Sequence, residues 1–304
     1  MAARQMRWLL SGELLLYAML SAWLVTQVGW TPVAAAGLAL GSFLALRLFI
    51  TALTFILMLA NADAVPGQFR IGSLRALRMA LEEYAGLIVL FSVIQPFEAF
   101  WLGPDRLGKV AARPPLLLIH GYQCNRGFWF WLRSRLEAAG WTVATHNLEP
   151  VWAGIDDYAP GIARRIDEVL AATGAARVIL VGHSMGGLVL RAYLRRCGGS
   201  KVARIVTLGS PHQGTRLARL GLGRNAQQMC IDSPWLAALG LPAAVPLPPG
   251  SASIFSFHDN YVFPQQACSA LEGAANVAVG GVSHLGMAFS PLMLGELLEA
   301  LEPT

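Results

Sequence analysis

The chain has 304 residues, 55% of them hydrophobic and only 13% charged, with a mean hydropathy of +0.51. That length fits one large domain with or without an appendage, and the composition is too apolar for an ordinary soluble domain. The net charge is +5 and the pI about 9.3, yet no Lys/Arg cluster is interleaved with aromatics, which argues against nucleic acid and for anionic lipid head groups.

The apolar excess lies near the N-terminus. Trp8 to Trp30 and Val33 to Ala60 are almost wholly apolar, each long enough for the ~20 residues of a membrane helix. A signal peptide competes for the first run, but no small-x-small site ends it and a second run comes at once. Two spans, about 8–30 and 33–60, are therefore expected, joined by a tight "GWTP" turn with Trp30 at the interface. Glu13 and Arg47 interrupt them at matched depths, roughly 8 and 9 Å from one face at ~1.5 Å per residue, so they are expected to pair. Arg4 and Arg7 before the hairpin, and Arg70, Arg75 and Arg78 after it, put positive charge on both flanks, as for ends in the cytoplasm. A third apolar stretch, Tyr84–Leu102, is barely long enough to cross and is broken by "QPFE". If it spans, the C-terminal remainder of the chain is periplasmic. If it lies in the interface, that remainder is cytoplasmic, as Arg106, Lys109 and Arg113 favour. Residues 1–110 are read as the membrane anchor and 111–304 as a separate C-terminal domain.

From Pro114 short aliphatic runs alternate with amphipathic ones. Strands are expected in "PLLLIHG", "WTVATHNLE", "RVILVGHS", "KVARIVTLGSP", "SIFSFHD" and "NVAVGGVSH". Helices are expected in "FWFWLRSRLEAAG", "IDDYAPGIARRIDEVLAATG", "MGGLVLRAYLRRCG" and "PLMLGELLEALE". Fully apolar strands alternating with helices predict an α/β fold, a mostly parallel sheet covered on both faces.

Gly182-His183-Ser184-Met185-Gly186 matches G-x-S-x-G between such a strand and helix. A turn this sharp strains the serine backbone, and glycine at 182 and 186 removes collisions with neighbouring elements. A serine needs a base to take its proton. His284 in "VAVGGVSHLG" comes after a later strand and is the candidate, with His258 as nearest rival. Asp259, ending "SIFSFHD", is the candidate acid that orients the imidazole. Asp232 and Glu272 are alternatives, but neither directly follows a strand. The backbone N–H groups of Met185 and Tyr122 are the expected oxyanion donors.

With these residues in place, the chain from about Pro114 resembles the α/β-hydrolases and, within them, bacterial family I lipases. The resemblance rests on "IHGYQCN", "VGHSMGG", "TLGSPHQGT", "HDNYVFP" and "GVSHLGM", and the first 110 residues have no part in it. It implies an α/β-hydrolase fold and hydrolysis of carboxylic esters, with Ser184, Asp259 and His284 as the triad. Such lipases often bind calcium through an aspartate just after the histidine. Here "HLGMAFS" carries no carboxylate, so no metal and no cofactor are expected. The stretch between "GSPHQGT" and Asp259 is too short for a long helical lid, although "LAALGLPAAVPLPPG" is apolar enough to touch acyl chains or cover the core. The cysteine order around the acid, as in some relatives, makes Cys230–Cys268 a candidate disulfide.

The expected protein is a serine ester hydrolase anchored in the bacterial inner membrane, with a slight lean to the periplasmic side. Its partners would be a lipid or other ester substrate and the bilayer, with no nucleic acid. An acyltransferase using an alcohol acceptor, and a catalytically silent partner-binding protein, are the alternatives.

Overall fold

The computed structural model describes residues 1–108, 113–240 and 246–302. The expected anchor boundary at 110/111, and Lys109, lie outside the described residues. Two long helices come first, α1 (Ala2–Gln27) and α2 (Pro32–Leu59), both long and apolar enough to cross a membrane. Between them Thr31 caps α2 by accepting the Ala34 N–H at 3.3 Å, with Pro32 at the first helical position. Threonine satisfies a free N–H there and proline has none to lose, which is why the chain reverses at this point. Arg47 Nη2 donates to Glu13 Oε2 at 2.6 Å, and Nη1 donates to Oε1. The expected pair is made, and each charge relieves the other's desolvation on an apolar hairpin.

The open end of the hairpin rests on the rest of the protein. The Ala2 N–H donates to Glu149 at 2.8 Å, and Arg7 donates to the Pro96 carbonyl at 2.7 Å. From the other helix's end, Asn61 accepts from Arg216 at 2.8 Å. Helix α1 therefore starts at Ala2, some residues before the apolar run, because its polar leader has partners to meet.

The third apolar stretch, Tyr84–Leu102, lies within a longer helical run: α3 (Ser73–Ile88), a wider-turned continuation over Val89–Ile94, a tight turn at Gln95–Phe97 and α4 (Glu98–Leu102). Pro96 lacks the N–H that would extend the helical ladder, so the turn tightens there. Met79, Glu83, Leu90 and Ile94 are buried, whereas Leu74, Leu77, Leu81 and Phe100 are exposed. The stretch is long and apolar enough to cross a membrane, yet part of its surface is already covered by protein.

The remaining elements alternate: β1 (Leu116–Ile119), α5 (Phe130–Ala138), β2 (Val143–His146), α6 (Ala159–Thr173), β3 (Val178–His183), α7 (Met185–Cys197) and β4 (Val202–Leu208). Two short helices, α8 (Gly223–Gln228) and α9 (Pro234–Leu239), precede β5 (Ala252–Ser256). Then come α10 (Gln265–Ser269), β6 (Ala275–Val279) and α11 (Pro291–Leu301). All six predicted strands form, in one parallel sheet of order β2-β1-β3-β4-β5-β6.

Strand β1 shows why the run "LLLI" is apolar throughout. Leu116 and Leu118 join one core with Leu132 and Leu297, while Leu117 and Ile119 join the opposite core with Ile166 and Leu188. Successive side chains point to opposite faces, and both faces are covered by helices. Because every strand runs the same way, all their C-terminal ends share one edge of the sheet. The loops leaving that edge carry the candidate residues Ser184, Asp259 and His284.

Candidate active site

Ser184 follows β3 directly and has φ 54° and ψ −126°, a region that costs a non-glycine residue of order 1–3 kcal/mol. The backbone is held there by the Ser184 N–H donating to Leu208 O at 2.9 Å. The glycines explain why nothing larger fits. A Cβ on Gly186 would lie 2.4 Å from Ile119 O, and one on Gly182 2.7 Å from Gly187 N. Gly121, in the loop after β1, has no room either, since its Cβ would fall 2.8 Å from Ser184 Cβ. That loop therefore runs against the serine, with Tyr122 next in line.

His284 stands in the loop after β6, and Asp259 in the loop after β5. His284 Nδ1–H donates to Asp259 Oδ2 at 2.8 Å. The other carboxylate oxygen accepts the N–H groups of Tyr261 and Val262, each at 2.8 Å. Both side chains are almost fully buried. The imidazole lies against Tyr261, ring centroids 4.9 Å apart and 21° from parallel. Ser184 and His284 open into one cavity of about 420 Å³, whose wall includes Tyr122, Ile50 of α2, Phe91 and Met229.

The rivals fall away on position. His258 accepts the Gly281 N–H at 3.0 Å on Nδ1, and Asp232 and Glu272 are exposed. His183, next to the serine, stacks on Phe128 at 3.9 Å, and burial holds its pKa well below the usual range. It is a neutral packing group. Cys230 and Cys268 are free thiols, which corrects the expected disulfide: the Cys230 Sγ turns to the Ala226 carbonyl, 3.6 Å away. Burial pushes the Cys268 thiol up to about 12. The described part of "LAALGLPAAVPLPPG" places Leu236 and Leu239 in the core, and residues 241–245 lie outside the described residues. The cavity is bordered instead by Leu217, Leu220 and Leu222. Tyr122 fastens that border, its hydroxyl donating to Leu222 O at 2.7 Å and accepting the Leu222 N–H at 2.8 Å.

Sequence reading missed what holds the Tyr122 loop. Gln95, fully buried in the third apolar stretch, accepts the Asn125 N–H on Oε1 and the Asn125 side-chain amide on its carbonyl, both at 2.7 Å. In the sequence it is only an interruption, "QPFE". A polar group within an apolar run is a functional signal by default.

His120 buttresses the same loop from behind. Its Nε2 accepts the Leu148 N–H and its Nδ1 donates to Gly121 O, both at 2.9 Å, a neutral tautomer with no place for a second proton. Burial lowers its pKa, and that of His146, to about 4. In the unfolded chain both rings take up protons near 6.5, so stability present above that pH is lost as pH falls towards 4. At ~1.4 kcal/mol per pKa unit each ring is worth up to roughly 3 kcal/mol. Melting in detergent should fall between pH 7 and 4.5, and His146→Gln should flatten part of the fall. An unchanged pH dependence in that variant would reject the assignment.

Residues 114–229 match the family model for the alpha/beta hydrolase fold. These residues have the α/β-hydrolase fold. The chain is 34% identical over 116 residues to a triacylglycerol lipase of Pseudarthrobacter phenanthrenivorans, covering 36% of each chain. It is likewise 34% identical over 116 residues to a triacylglycerol lipase of Burkholderia plantarii, covering 36% of this chain and 32% of that one. The match thus spans about a third of the length of these curated relatives. Among solved structures, the mature form of a Bacillus licheniformis lipase superposes with a TM-score of 0.57 at 18% identity, covering 66% of this chain and 97% of that one. Aspergillus fumigatus lipase B gives 0.54 at 20% identity, covering 62% and 52%. At these identities the superpositions speak to the fold alone.

Proposed function

We propose that this chain is a membrane-anchored carboxylic ester hydrolase that takes lipidic esters from the bilayer. The observation that carries the reading is one cavity shared by a strained serine, an imidazole bonded to a buried carboxylate, and a side chain of an apolar helix, Ile50. Ser184 Oγ attacks the ester carbonyl as His284 Nε2 takes its proton. The N–H groups of Met185 and Tyr122 receive the oxyanion, as preorganised dipoles do at acyl-transfer sites. The proton passes from Nε2 to the leaving alkoxide, and water, activated by the same imidazole, releases the acyl group. Asp259 holds the Nδ1–H tautomer throughout and stabilises the imidazolium.

The apolar wall and the similarity to triacylglycerol lipases favour esters of fatty acids. The two helices α1 and α2 are the anchor, and the outward leucines of α3 rest in the interface. The domain sits at the open end of the hairpin, the end flanked by Arg4, Arg7, Arg70, Arg75 and Arg78. Positive flanks stay in the cytoplasm, so we place the domain on the cytoplasmic face, against the slight periplasmic lean of the sequence. An impermeant maleimide that labels the exposed Cys197 in intact cells would reverse that side. For the activity, purified protein in detergent should hydrolyse an ester panel with preference for fatty acyl chains over acetyl. Equal rates on acetyl and longer esters would leave an esterase of soluble substrates, and acyl transfer to glycerol in preference to water would make the chain an acyltransferase.

A further inference from the structure

Glu83, on α3, is 1% exposed and reaches the loop that carries His284. Its Oε2 accepts the N–H of Leu285 at 2.9 Å and of Gly286 at 3.1 Å. Its Oε1 accepts the side-chain amide of Asn260 at 3.2 Å. Asn260 in turn accepts the His284 N–H at 3.1 Å on its own carbonyl oxygen, and donates to Thr54 of α2 at 2.8 Å. The N–H groups of Leu285, Gly286 and the Asn260 amide all donate, so both oxygens of the Glu83 side chain serve as acceptors in these contacts. Helix and loop also run close together, for a Cβ added at Gly86 would sit 3.6 Å from Leu285 Cβ.

We propose that Glu83 is a positioning residue for the catalytic base, fixing from the apolar N-terminal segment where the His284 imidazole stands relative to Ser184. This rests on the triad reading above. The loop needs such a support. It leaves β6 through Gly280 and Gly281, the latter at φ +73°, and glycines hold a backbone weakly. Asp259 fixes the direction of the ring but not the height of the backbone that bears it. Without the Glu83 carboxylate, two adjacent N–H groups would be left without an acceptor, and the loop would move to find one.

A displaced imidazole affects the two proton transfers unequally for different esters. Nε2 takes the Ser184 proton in either case. It then gives that proton to the leaving oxygen as the carbonyl carbon–oxygen bond breaks. An ethoxide needs that proton to depart, whereas p-nitrophenolate departs without it. Imprecise placement therefore penalises alkyl esters more.

The test compares kcat/KM for the ethyl and p-nitrophenyl esters of one fatty acid, using the full chain in detergent. In Glu83→Gln only one oxygen remains, and the amide nitrogen must face a donor. The ethyl ester should lose roughly tenfold more than the p-nitrophenyl ester, a proton transfer being worth about 10²–10⁴-fold in full. A smaller folded fraction lowers both equally and cancels in the ratio. Should Glu83→Gln not accumulate, Glu83→Asp, one methylene shorter with its charge kept, is measured the same way, and the ratio should shift in the same direction by less. Equal factors for the two esters, or no change in either, overturn the proposal and leave the triad standing. A wild-type protein that hydrolyses neither ester overturns both.

Discussion

Ser184→Ala is expected to lower kcat for ester hydrolysis by a factor on the order of 10⁶ and to abolish labelling by a fluorophosphonate probe, with the fold intact. The fold should survive because alanine carries the same Cβ as serine. It meets the same backbone strain at φ 54° and fills the same space against Gly121. What disappears is the single oxygen proposed to form the acyl-enzyme. Removing it leaves only the oxyanion donors and substrate binding, which on their own supply a residual acceleration of about 10³–10⁴-fold over water. Side-chain changes at Tyr122 or Met185 should cost far less, since the proposed oxyanion donors there are backbone N–H groups. A Ser184→Ala protein that keeps a large share of the wild-type rate, or still labels, would rule out Ser184 as the nucleophile.

Asp259→Asn should reduce kcat by about 10⁴-fold, and the geometry states the reason. One oxygen of Asp259 accepts two backbone N–H groups, from Tyr261 and Val262, and the other accepts His284 Nδ1–H. An asparagine has one oxygen. The two N–H donors compel that oxygen to face them, so the amide nitrogen turns towards the ring. Nδ1 must then become the acceptor, and the proton moves to Nε2, where it blocks uptake of the serine proton. Stability should change little, because each contact keeps a donor and an acceptor. Asp232→Asn and Glu272→Gln, at exposed positions, should stay within about twofold of wild type, as surface changes away from a site do. Comparable losses in all three would remove Asp259 from its role.

Much of this was legible because it is written in local pattern. The runs "LLLI" and "VILVGH" are almost wholly apolar, as a strand buried on both faces requires, and both appear in the centre of the parallel sheet. The glycines of "GHSMG" forecast the close approaches found at Gly182 and Gly186. Glu13 and Arg47 could be matched because helical rise converts sequence position into depth. The cysteine pairing failed for the complementary reason: order in the chain says nothing of where a thiol points.

The supports of the site were hidden for a different cause. Gln95 lies in, and Glu83 just before, a stretch whose mean hydropathy suggests lipid, and their partners Asn125, Asn260, Leu285 and Gly286 are 30 to 203 residues away. No period or motif relates such positions. The residue types, their periodicity and the glycine spacing determined the sheet, the two apolar helices and the candidates Ser184, Asp259 and His284 at its loop edge, since each follows from backbone geometry within a few residues. Only the folded chain decided that the third apolar stretch turns one face to the loops bearing His284 and Tyr122 and holds them, because buried donors must find acceptors wherever the packing brings one near.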